Sequence, residues 1–346
     1  MKKRAKKAFI TGLTGQDGYY LSKFLIEKGY KVFGLIRRTS NDPLVRFGNE
    51  VEYLKKNITL LYGNMRDEKT LISALKASKP DEIYNLAAQS DVGISFVCPD
   101  ESWDVNYEGT GRLFVNALRI NPKVKIYQAS TSEMYGSTPP PQNEETRFMP
   151  VSPYAEAKLK AHRDFVVALR KKKRVFIASG ILFNHESPVR GEHFVTRKIT
   201  ISLAKIKLGI QEYFELGNLD AKRDWGFAGD YVEAMWLMLQ QKRPDDFVVG
   251  TGESRSVREF VEAAAENLGM KITWKGKGLR EVGVDEKGIV RVKVNKKYHR
   301  PNEVHFLLAN PHKVATILKW KPKVSFFALV KMMVDFDYAD LKKKYS

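Results

Sequence analysis

The most constraining feature of this 346-residue chain is a strand, turn, helix and strand pattern near its beginning. The apolar run from Ala8 to Ile10 predicts a buried strand, and the amphipathic stretch from Tyr19 to Lys28 predicts a helix that ends at Gly29. A second apolar run follows at once, from Lys31 to Ile36. Two strands joined by one helix lie parallel in a sheet, because the crossover helix packs on the sheet's face. The pattern therefore predicts a βαβ unit.

The same alternation continues through the first half of the chain. Further apolar runs, with helical patterns between them, cover Ile58 to Tyr62, Glu82 to Ala87, Lys125 to Ala129 and Val175 to Ile181. Alternation of this kind predicts an α/β fold with a Rossmann-type, doubly wound parallel sheet. We expect this dinucleotide-binding domain to cover residues 1–182, with 226–250 returning to it.

In the second half of the chain the alternation becomes less regular. Segments that look like loops span Asn184 to Glu192 and Leu219 to Gly229, and a polar, lysine-rich stretch runs from Lys275 to Pro301. We expect residues 183–225 and 251–346 to form a smaller, substrate-binding lobe.

Composition excludes several classes of protein. No uninterrupted apolar run approaches the roughly 18 residues of a membrane span, and the basic start of the chain lacks the apolar region of a signal peptide. The single cysteine, Cys98, allows neither an internal disulfide nor a cysteine-based metal site, so we expect a cytoplasmic protein without a metal. The net charge of +19 permits an anionic partner, but short lysine runs such as 342–344 are typical of a solvated surface. We therefore expect neither nucleic-acid nor membrane binding.

The turn after the first strand has the spacing of a dinucleotide site. Its glycines fall three apart, directly after a strand and at the start of a helix, where backbone amides and the helix dipole can face a pyrophosphate. The alternative is an ordinary tight turn, against which the flanking strand and helix argue. The candidate cofactor-binding residues of this turn are Gly12, Thr14, Gly15, Gln16, Asp17 and Gly18.

The end of the second strand indicates which dinucleotide binds. It continues as Arg37, Arg38, Thr39 and Ser40, without the acidic residue that an NAD site uses to hold both ribose hydroxyls. Two arginines favour a 2′-phosphate and therefore NADP, the alternative being a pair of surface arginines. After the fourth strand, small residues would let the cofactor lie close to the backbone, and the candidates there are Leu86, Ala87, Ala88, Gln89 and Ser90.

A tyrosine and a lysine supply the candidate chemistry. Tyr154 and Lys158 lie four residues apart on a segment that Pro153 can begin as a helix, so both side chains share one face. An ammonium nearby shifts a pKa by roughly 1 to 3 units, so we expect Lys158 to lower the pKa of Tyr154 from about 10 toward neutrality. Tyr154 is then a candidate base, and Thr131, at the end of the fifth strand, can hydrogen-bond the same substrate oxygen. The alternative is an amphipathic helix with an incidental tyrosine.

These motifs resemble those of the extended short-chain dehydrogenase/reductase family over nearly the whole chain. Within it, they are similar to the branch that dehydrates GDP-mannose. The resemblance rests on six strings, which are TGLTGQDG from Thr11, NLAAQS from Asn85, ASTSEMYG from Ala129, GILFNHESP from Gly180, RGEHFVTRKIT from Arg190 and RDWG from Arg223. It implies a lyase of nucleotide-sugar metabolism and deoxysugar biosynthesis, with NADP as cofactor and GDP-mannose as substrate.

The resemblance also assigns residues to roles. It implies that Thr131, Glu133 and Tyr154 carry catalysis with Lys158, and Glu133 separates a 4,6-dehydratase from a reductase because dehydration needs a carboxylate near C5 and C6. The further cofactor contacts that it implies are Asn64, Met65, Lys158, His185 and Arg190. The implied sugar-nucleotide contacts are Ser90, Asn184, Val195, Lys198, Arg223, Arg300 and Glu303.

The chain departs from the family's pattern at a few positions. Asn64 replaces an aspartate that contacts the adenine, Glu101 replaces a tyrosine, and Lys319 replaces a glycine. The arginine loop after the second strand, which in the family builds a tetramer, is dissimilar in its later part, so we expect a homo-oligomer that is a dimer or a tetramer. The open alternatives are a 4,6-dehydratase of another nucleotide hexose, a 4-keto-sugar-nucleotide reductase, and a non-enzymatic protein that senses NADP or binds nucleic acid.

Overall fold

The computed structural model describes residues 4–40, 42–298, 302 and 304–345. Its strands are β1 (Lys7–Thr11), β2 (Lys31–Ile36), β3 (Ile58–Tyr62), β4 (Glu82–Asn85), β5 (Lys125–Thr131), β6 (Ile177–Leu182), β7 (Asn184–Glu186), β8 (Phe214–Leu216), β9 (Lys222–Arg223), β10 (Trp225–Phe227), β11 (Asp246–Val249), β12 (Arg255–Ser256), β13 (Thr273–Lys275), β14 (Val282–Val284) and β15 (Val290–Val294). Its α-helices are α1 (Gln16–Glu27), α2 (Val51–Asn57), α3 (Glu68–Ser78), α4 (Val92–Val97), α5 (Pro99–Trp103), α6 (Gly109–Ile120), α7 (Pro153–Ala161), α8 (Ala168–Lys173), α9 (Val195–Lys207), α10 (Ala228–Gln240), α11 (Val257–Glu266), α12 (His312–Ile317) and α13 (Phe326–Tyr345).

Seven of the described strands form one parallel sheet, in the order β11-β6-β5-β4-β1-β2-β3. The chain builds outward from β1 to β3 and then returns to place β4 on the other side of β1, where Phe9 lies between Phe33 and Ile83. This reversal leaves a crevice at the carboxyl ends of β1 and β4, which is where open α/β sheets bind ligands. The predicted Rossmann-type sheet is confirmed.

Helices cover both faces of this sheet. On one face, α1 and α10 bury Leu21 and Met235 against the strands. On the other face, α3 and α6 bury Leu71 and Phe114. Strands buried on both faces need apolar residues at almost every position, and every residue of β6 is buried. The three layers therefore hold the carboxyl edge of the sheet in a fixed position.

The smaller lobe has a sheet and a core of its own. The sheet runs β13-β14-β15-β8, with β8 parallel to β15 and the other pairs antiparallel. Leu203 of α9, Phe260 of α11 and Met333 of α13 meet in its core. None of the described helices is long and apolar enough to cross a membrane.

Two segments that look like loops in the sequence contain short strands, so that prediction was wrong in detail. β7 pairs with β10, and β9 pairs with β12. Strands of two or three residues are too short to show alternation, which is the signal that predicts a strand. The segment 226–250 contains α10, which packs against α1, and β11, which pairs with β6.

Candidate active site

A cleft of about 1210 Å³ opens at the carboxyl edge of the central sheet, beside the smaller lobe. The predicted site residues that line it are Gly12, Thr14, Gly15, Gln16, Asp17, Gly18, Arg37, Asn64, Met65, Leu86, Ala87, Ala88, Gln89, Ser90, Thr131, Glu133, Tyr154, Lys158, Asn184, His185, Arg190, Val195, Lys198 and Arg223. Arg38, Thr39 and Ser40 are exposed and do not line this cleft. Arg300 and Glu303 lie outside the described residues.

The glycine turn forms a cradle that side chains would fill. Gly12 has a φ of +70°, and a Cβ there would lie 2.8 Å from the Ala87 nitrogen. A Cβ on Gly18 would lie 2.5 Å from the Gly12 oxygen. Among the described residues, no side chain caps α1, whose N-cap is Gly15, so the first amides of the helix can bind an anion. These features fit the pyrophosphate of a dinucleotide.

Polar side chains tie together the ends of the strands beneath this cradle. The Thr11 hydroxyl donates to the Asn85 oxygen at 2.6 Å, and the Asn85 amide donates to the Gln128 oxygen at 2.8 Å. The Ala87 backbone N–H donates to the Thr11 oxygen at 3.1 Å. The network holds the segment after β4 against the glycine turn. Sequence reasoning missed it, although a polar residue at or near the end of each of three predicted strands was a usable signal.

The wall after β2 and β3 carries one of the predicted arginines. Arg37 lines the cleft beside Asn64 and Met65. The Asn64 side-chain oxygen accepts a hydrogen bond from the Arg66 N–H at 3.1 Å. A carbonyl oxygen has two lone pairs, so Asn64 keeps one acceptor position for an adenine amino group.

Thr131 and Glu133 meet at the end of β5. Thr131 is the last residue of the strand, and Glu133 follows in a 3₁₀ turn in which its N–H donates to the Thr131 hydroxyl oxygen at 3.2 Å. Gly136 then reverses the chain with a φ of +54°, where a Cβ would lie 1.8 Å from the Met149 oxygen. The side chains of Thr131 and Glu133 are each 8% exposed and line the cleft. The turn thus brings the side chains of Thr131 and Glu133 into the same cleft.

Tyr154 and Lys158 share one face of α7, as predicted from their spacing. The helix begins at Pro153, and the Ser152 hydroxyl accepts the Ala155 N–H at 3.2 Å. The Lys158 Nζ donates to the Ala129 backbone oxygen at 3.0 Å and lies 6.0 Å from the centre of the Tyr154 ring. The lysine therefore joins α7 to the carboxyl end of β5.

The expectation that Lys158 lowers the pKa of Tyr154 was wrong. Burial raises the pKa of Tyr154 to about 12, although the Thr131 hydroxyl opposes the shift. Burial also lowers the pKa of Lys158 to about 8. The ammonium is directed to the Ala129 carbonyl, so it gives the phenol little stabilisation. In the protein alone, Tyr154 is a neutral hydrogen-bond donor.

β7 and the segment after it form the wall opposite the glycine turn. Asn184 and His185 belong to β7, and Arg190 lies four residues beyond the end of that strand. The Arg190 guanidinium stacks on the Phe194 ring at 3.6 Å, and its buried Nε lies 3.2 Å from Glu186 Oε2, an ion pair without hydrogen-bond geometry. A guanidinium facing a cleft with donors to spare suits a phosphate or a carboxamide oxygen. Sequence reasoning missed Phe194.

Cations from the smaller lobe close the far end of the cleft. Lys198 of α9 places its Nζ 3.4 Å from the centre of the Tyr298 ring, and Arg223 of β9 is buried, with one N–H donated to the Lys222 oxygen at 3.0 Å. Val195, the first residue of α9, is 37% exposed in the cleft. Tyr298 was also missed, although it lies two residues before a predicted substrate residue. The arrangement suits a second diphosphate.

A glycine cradle at the switch point of a parallel sheet, with Thr131, Tyr154 and Lys158 at the neighbouring strand ends, defines a protein of the extended short-chain dehydrogenase/reductase class. A family model described as GDP-mannose 4,6 dehydratase matches residues 9–333. The chain belongs to this family.

Curated relatives agree with this assignment, and a solved structure shares the fold. The chain is 51% identical to human GDP-mannose 4,6 dehydratase over 97% of its length and 92% of that protein's. It is 45% identical to GDP-mannose 4,6-dehydratase of Yersinia enterocolitica, over 98% of this chain and 95% of the relative. Its fold matches UDP-glucose 4-epimerase of Thermotoga maritima with a TM-score of 0.80 at 22% identity, covering 96% of this chain and 99% of the other.

Proposed function

We propose that this protein is an NADP-dependent GDP-mannose 4,6-dehydratase, which converts GDP-D-mannose to GDP-4-keto-6-deoxy-D-mannose and water. The observation that carries the proposal is the position of Glu133, next to Thr131 and in the same cleft as Tyr154. Reduction or simple epimerisation needs no carboxylate there, whereas dehydration does. The names of the relatives, at about 50% identity over nearly the whole chain, support the same substrate.

The residues on the sheet side of the cleft would hold the cofactor. Gly12 and Gly18 leave room for the pyrophosphate, and Arg37 would meet the 2′-phosphate that distinguishes NADP from NAD. When bound, NADP supplies a reversible two-electron oxidation, so that no net oxidation of the sugar remains. Arg190 and Lys158 line the same part of the cleft.

Proton transfers divide between two residues. Tyr154, which is neutral in the protein alone, would act as its phenolate once the positive charge of an oxidised nicotinamide lowers its pKa. It then takes the proton of the C4 hydroxyl while Thr131 hydrogen-bonds that oxygen, and oxidation at C4 makes the C5 proton acidic. Glu133 then removes the C5 proton and delivers it to the C6 hydroxyl, which leaves as water. The proton that Tyr154 took from the C4 hydroxyl is given to C5 when C6 is reduced. The hydrogen lost from C4 is regained at C6, and one water is released for each sugar.

Replacing the carboxylate tests this role. Glu133→Gln keeps the size of the side chain but cannot accept a proton, so dehydration should fall by roughly 100-fold or more while NADP affinity stays unchanged. Formation of the 4-keto product and NADP binding are measured separately. Glu253→Gln, at an exposed position outside the cleft, is the control and should keep full activity. Full turnover by Glu133→Gln would remove Glu133 from the mechanism.

A panel of sugar nucleotides tests the substrate. GDP-mannose, UDP-glucose and dTDP-glucose are incubated with the protein without added NADPH, and 4-keto products are detected. We expect product from GDP-mannose alone. Product from a UDP or dTDP sugar only would overturn the substrate assignment, and turnover that requires added NADPH would indicate a reductase.

We also infer that the protein acts in the cytoplasm as a homo-oligomer, a dimer or a tetramer. Large apolar side chains are exposed along α4, α5 and α6, including Val97, Trp103 and Val115. Apolar exposure of this kind often marks an interface. Light scattering coupled to size exclusion would give the mass, and a monomer of 39.6 kDa would contradict the inference.

A further inference from the structure

The first turn of α1 is hydrogen-bonded to β7 and to the residue after it through four polar side chains, Gln16, Asp17, His185 and Ser187, which we call the latch. Asp17 Oδ2 lies 2.9 Å from His185 Nε2. The Gln16 amide donates to the His185 backbone oxygen at 2.9 Å, and its oxygen accepts the Ser187 hydroxyl at 2.7 Å. The latch therefore joins the glycine turn to the segment that carries Asn184 and Arg190 into the cleft.

Both ring nitrogens of His185 face acceptors. Nε2 faces the Asp17 carboxylate, and Nδ1 lies 2.8 Å from the Phe183 backbone oxygen. A neutral imidazole has one donor and one acceptor nitrogen, so only the imidazolium satisfies both contacts. The ring also stacks on Tyr231 with 4.7 Å between centres. The geometry requires a positive charge on His185.

The charges around the latch agree with this geometry. Burial by itself lowers the pKa of His185, but the Asp17 carboxylate and the Phe183 carbonyl raise it above its usual value, against the Arg190 guanidinium. Burial by itself raises the pKa of the Asp17 carboxyl, because it also disfavours the charged form there, but His185 brings that pKa below its usual value. The side chains of His185 and Asp17 are 12% and 19% exposed, so the pair is little screened by solvent.

The pair resolves an electrostatic conflict at the cofactor end of the cleft. Asp17 is a carboxylate in the first turn of the helix whose amides face the dinucleotide diphosphate. An uncompensated carboxylate there would repel the diphosphate. The His185 imidazolium cancels that charge, and the Gln16 hydrogen bonds fix the position of the glycine turn relative to β7.

We propose that His185 is a permanently charged positioning residue, which neutralises Asp17 and fixes Asn184 and Arg190 relative to the glycine turn. It transfers no proton in the reaction. The identity of the ligand as a dinucleotide rests on the proposed function, but the latch does not depend on dehydration. Loss of the His185 side chain should therefore weaken dinucleotide binding mainly because the Asp17 carboxylate is left unpaired.

A double-mutant cycle on cofactor binding tests the proposal. The dissociation constants of NADP and NAD are measured by calorimetry for the wild type, Asp17→Asn, His185→Asn and the double variant, without substrate. His185→Asn should weaken binding about 30-fold, since it leaves a charge unpaired. Adding Asp17→Asn should then restore binding by about fivefold or more, because the repelling charge is gone. Additive losses, as from a histidine that merely contacts the cofactor, would overturn the proposal.

A control variant and an NMR measurement on the wild type test the proposal even if His185→Asn folds poorly. Asp335→Asn removes an exposed, paired carboxylate and should leave binding unchanged. Nitrogen-15 NMR of the wild type at pH 8 should show both His185 nitrogens protonated, and a neutral ring would refute the proposal. A protein that binds NADP with this coupling but fails to dehydrate any sugar nucleotide would refute the proposed function and leave the latch standing.

Discussion

Lys158 carries an ammonium group in a place that disfavours it. Its side chain is 3% exposed, and burial lowers its pKa to about 8 from the usual 10.5. Between these pH values the unfolded chain binds more protons than the folded one, so stability rises with pH across this range. Below pH 8 the charged lysine therefore weakens the fold by up to about 3 kcal/mol.

Lys158→Met should therefore stabilise the protein while weakening cofactor binding, because Lys158 lines the cleft. We expect the free energy of unfolding at pH 7 to rise by about 1 to 3 kcal/mol, because an apolar side chain of similar length replaces a desolvated charge. The gain should shrink as pH rises from 8 to 10.5. Urea denaturation at several pH values measures it, and Lys160→Met, an exposed lysine in the same helix, is the control. A destabilised Lys158→Met would contradict the prediction.

Tyr127 of β5 places its phenol in the hydrophobic core. Tyr127 is fully buried, and its hydroxyl has no hydrogen-bond partner in the described ranges. A buried polar group without a partner weakens the fold, so Tyr127→Phe should raise the free energy of unfolding by about 1 kcal/mol. Tyr135→Phe is the matched control, since its hydroxyl donates to the Asn143 oxygen at 2.6 Å, and it should lose stability. Equal effects of the two changes would refute the argument.

Among the secondary-structure elements, α12 ends in an unfavourable backbone conformation. Lys319, one residue beyond its C-cap, has a φ of +56°, the left-handed region that favours glycine. Lys319→Gly should therefore raise the free energy of unfolding by about 0.5 to 1 kcal/mol, and thermal unfolding measures the change. Lys321→Gly, at a position without a positive φ, should be neutral or destabilising. A loss of stability in Lys319→Gly as large as that in Lys321→Gly would show that the strain is absent.

Elements of ordinary length could be predicted from sequence, whereas very short ones could not. β2 and β3 agree with their predicted limits because each is a continuous apolar run. β9 and β12 have two residues each. Beside these strands, the buried Asp224 carboxylate accepts hydrogen bonds from the Thr251 and Gly252 backbone N–H groups. Such contacts join residues far apart in the sequence, so local patterns do not predict them. The spacing of Tyr154 and Lys158 similarly predicts their shared face but not the Ala129 carbonyl that binds the lysine.

Across the whole molecule, an ion pair connects the C-terminal helix to the active-site cleft. Asp337 of α13 accepts hydrogen bonds from Arg197 Nε at 2.9 Å and from the Thr200 hydroxyl at 2.5 Å. Arg197 Nη1 donates in turn to the Arg190 backbone oxygen at 2.7 Å. All three side chains of the network are buried, so the position of Arg190 depends on α13.

Removing one partner of the Arg197–Asp337 pair should lower the free energy of unfolding more than replacing both partners with apolar residues. Asp337→Asn leaves the buried Arg197 charge uncompensated and should lower the free energy of unfolding by about 3 to 5 kcal/mol. The double change Arg197→Met and Asp337→Leu should recover most of that stability, because no buried charge remains. Chemical denaturation measures both variants. A loss below about 1 kcal/mol in Asp337→Asn would contradict the prediction.

The pairing of β6 with β11 also determines when the central sheet can be completed during synthesis. β6 ends at Leu182 and β11 begins at Asp246, with part of the smaller lobe between them. A ribosome adding roughly 5 to 20 residues per second takes about 3 to 13 s to supply that interval. Until then β6 is an apolar edge strand, the kind that templates aggregation. The nascent half that carries the central sheet must therefore wait for translation to pass through part of the other lobe before that sheet can be completed.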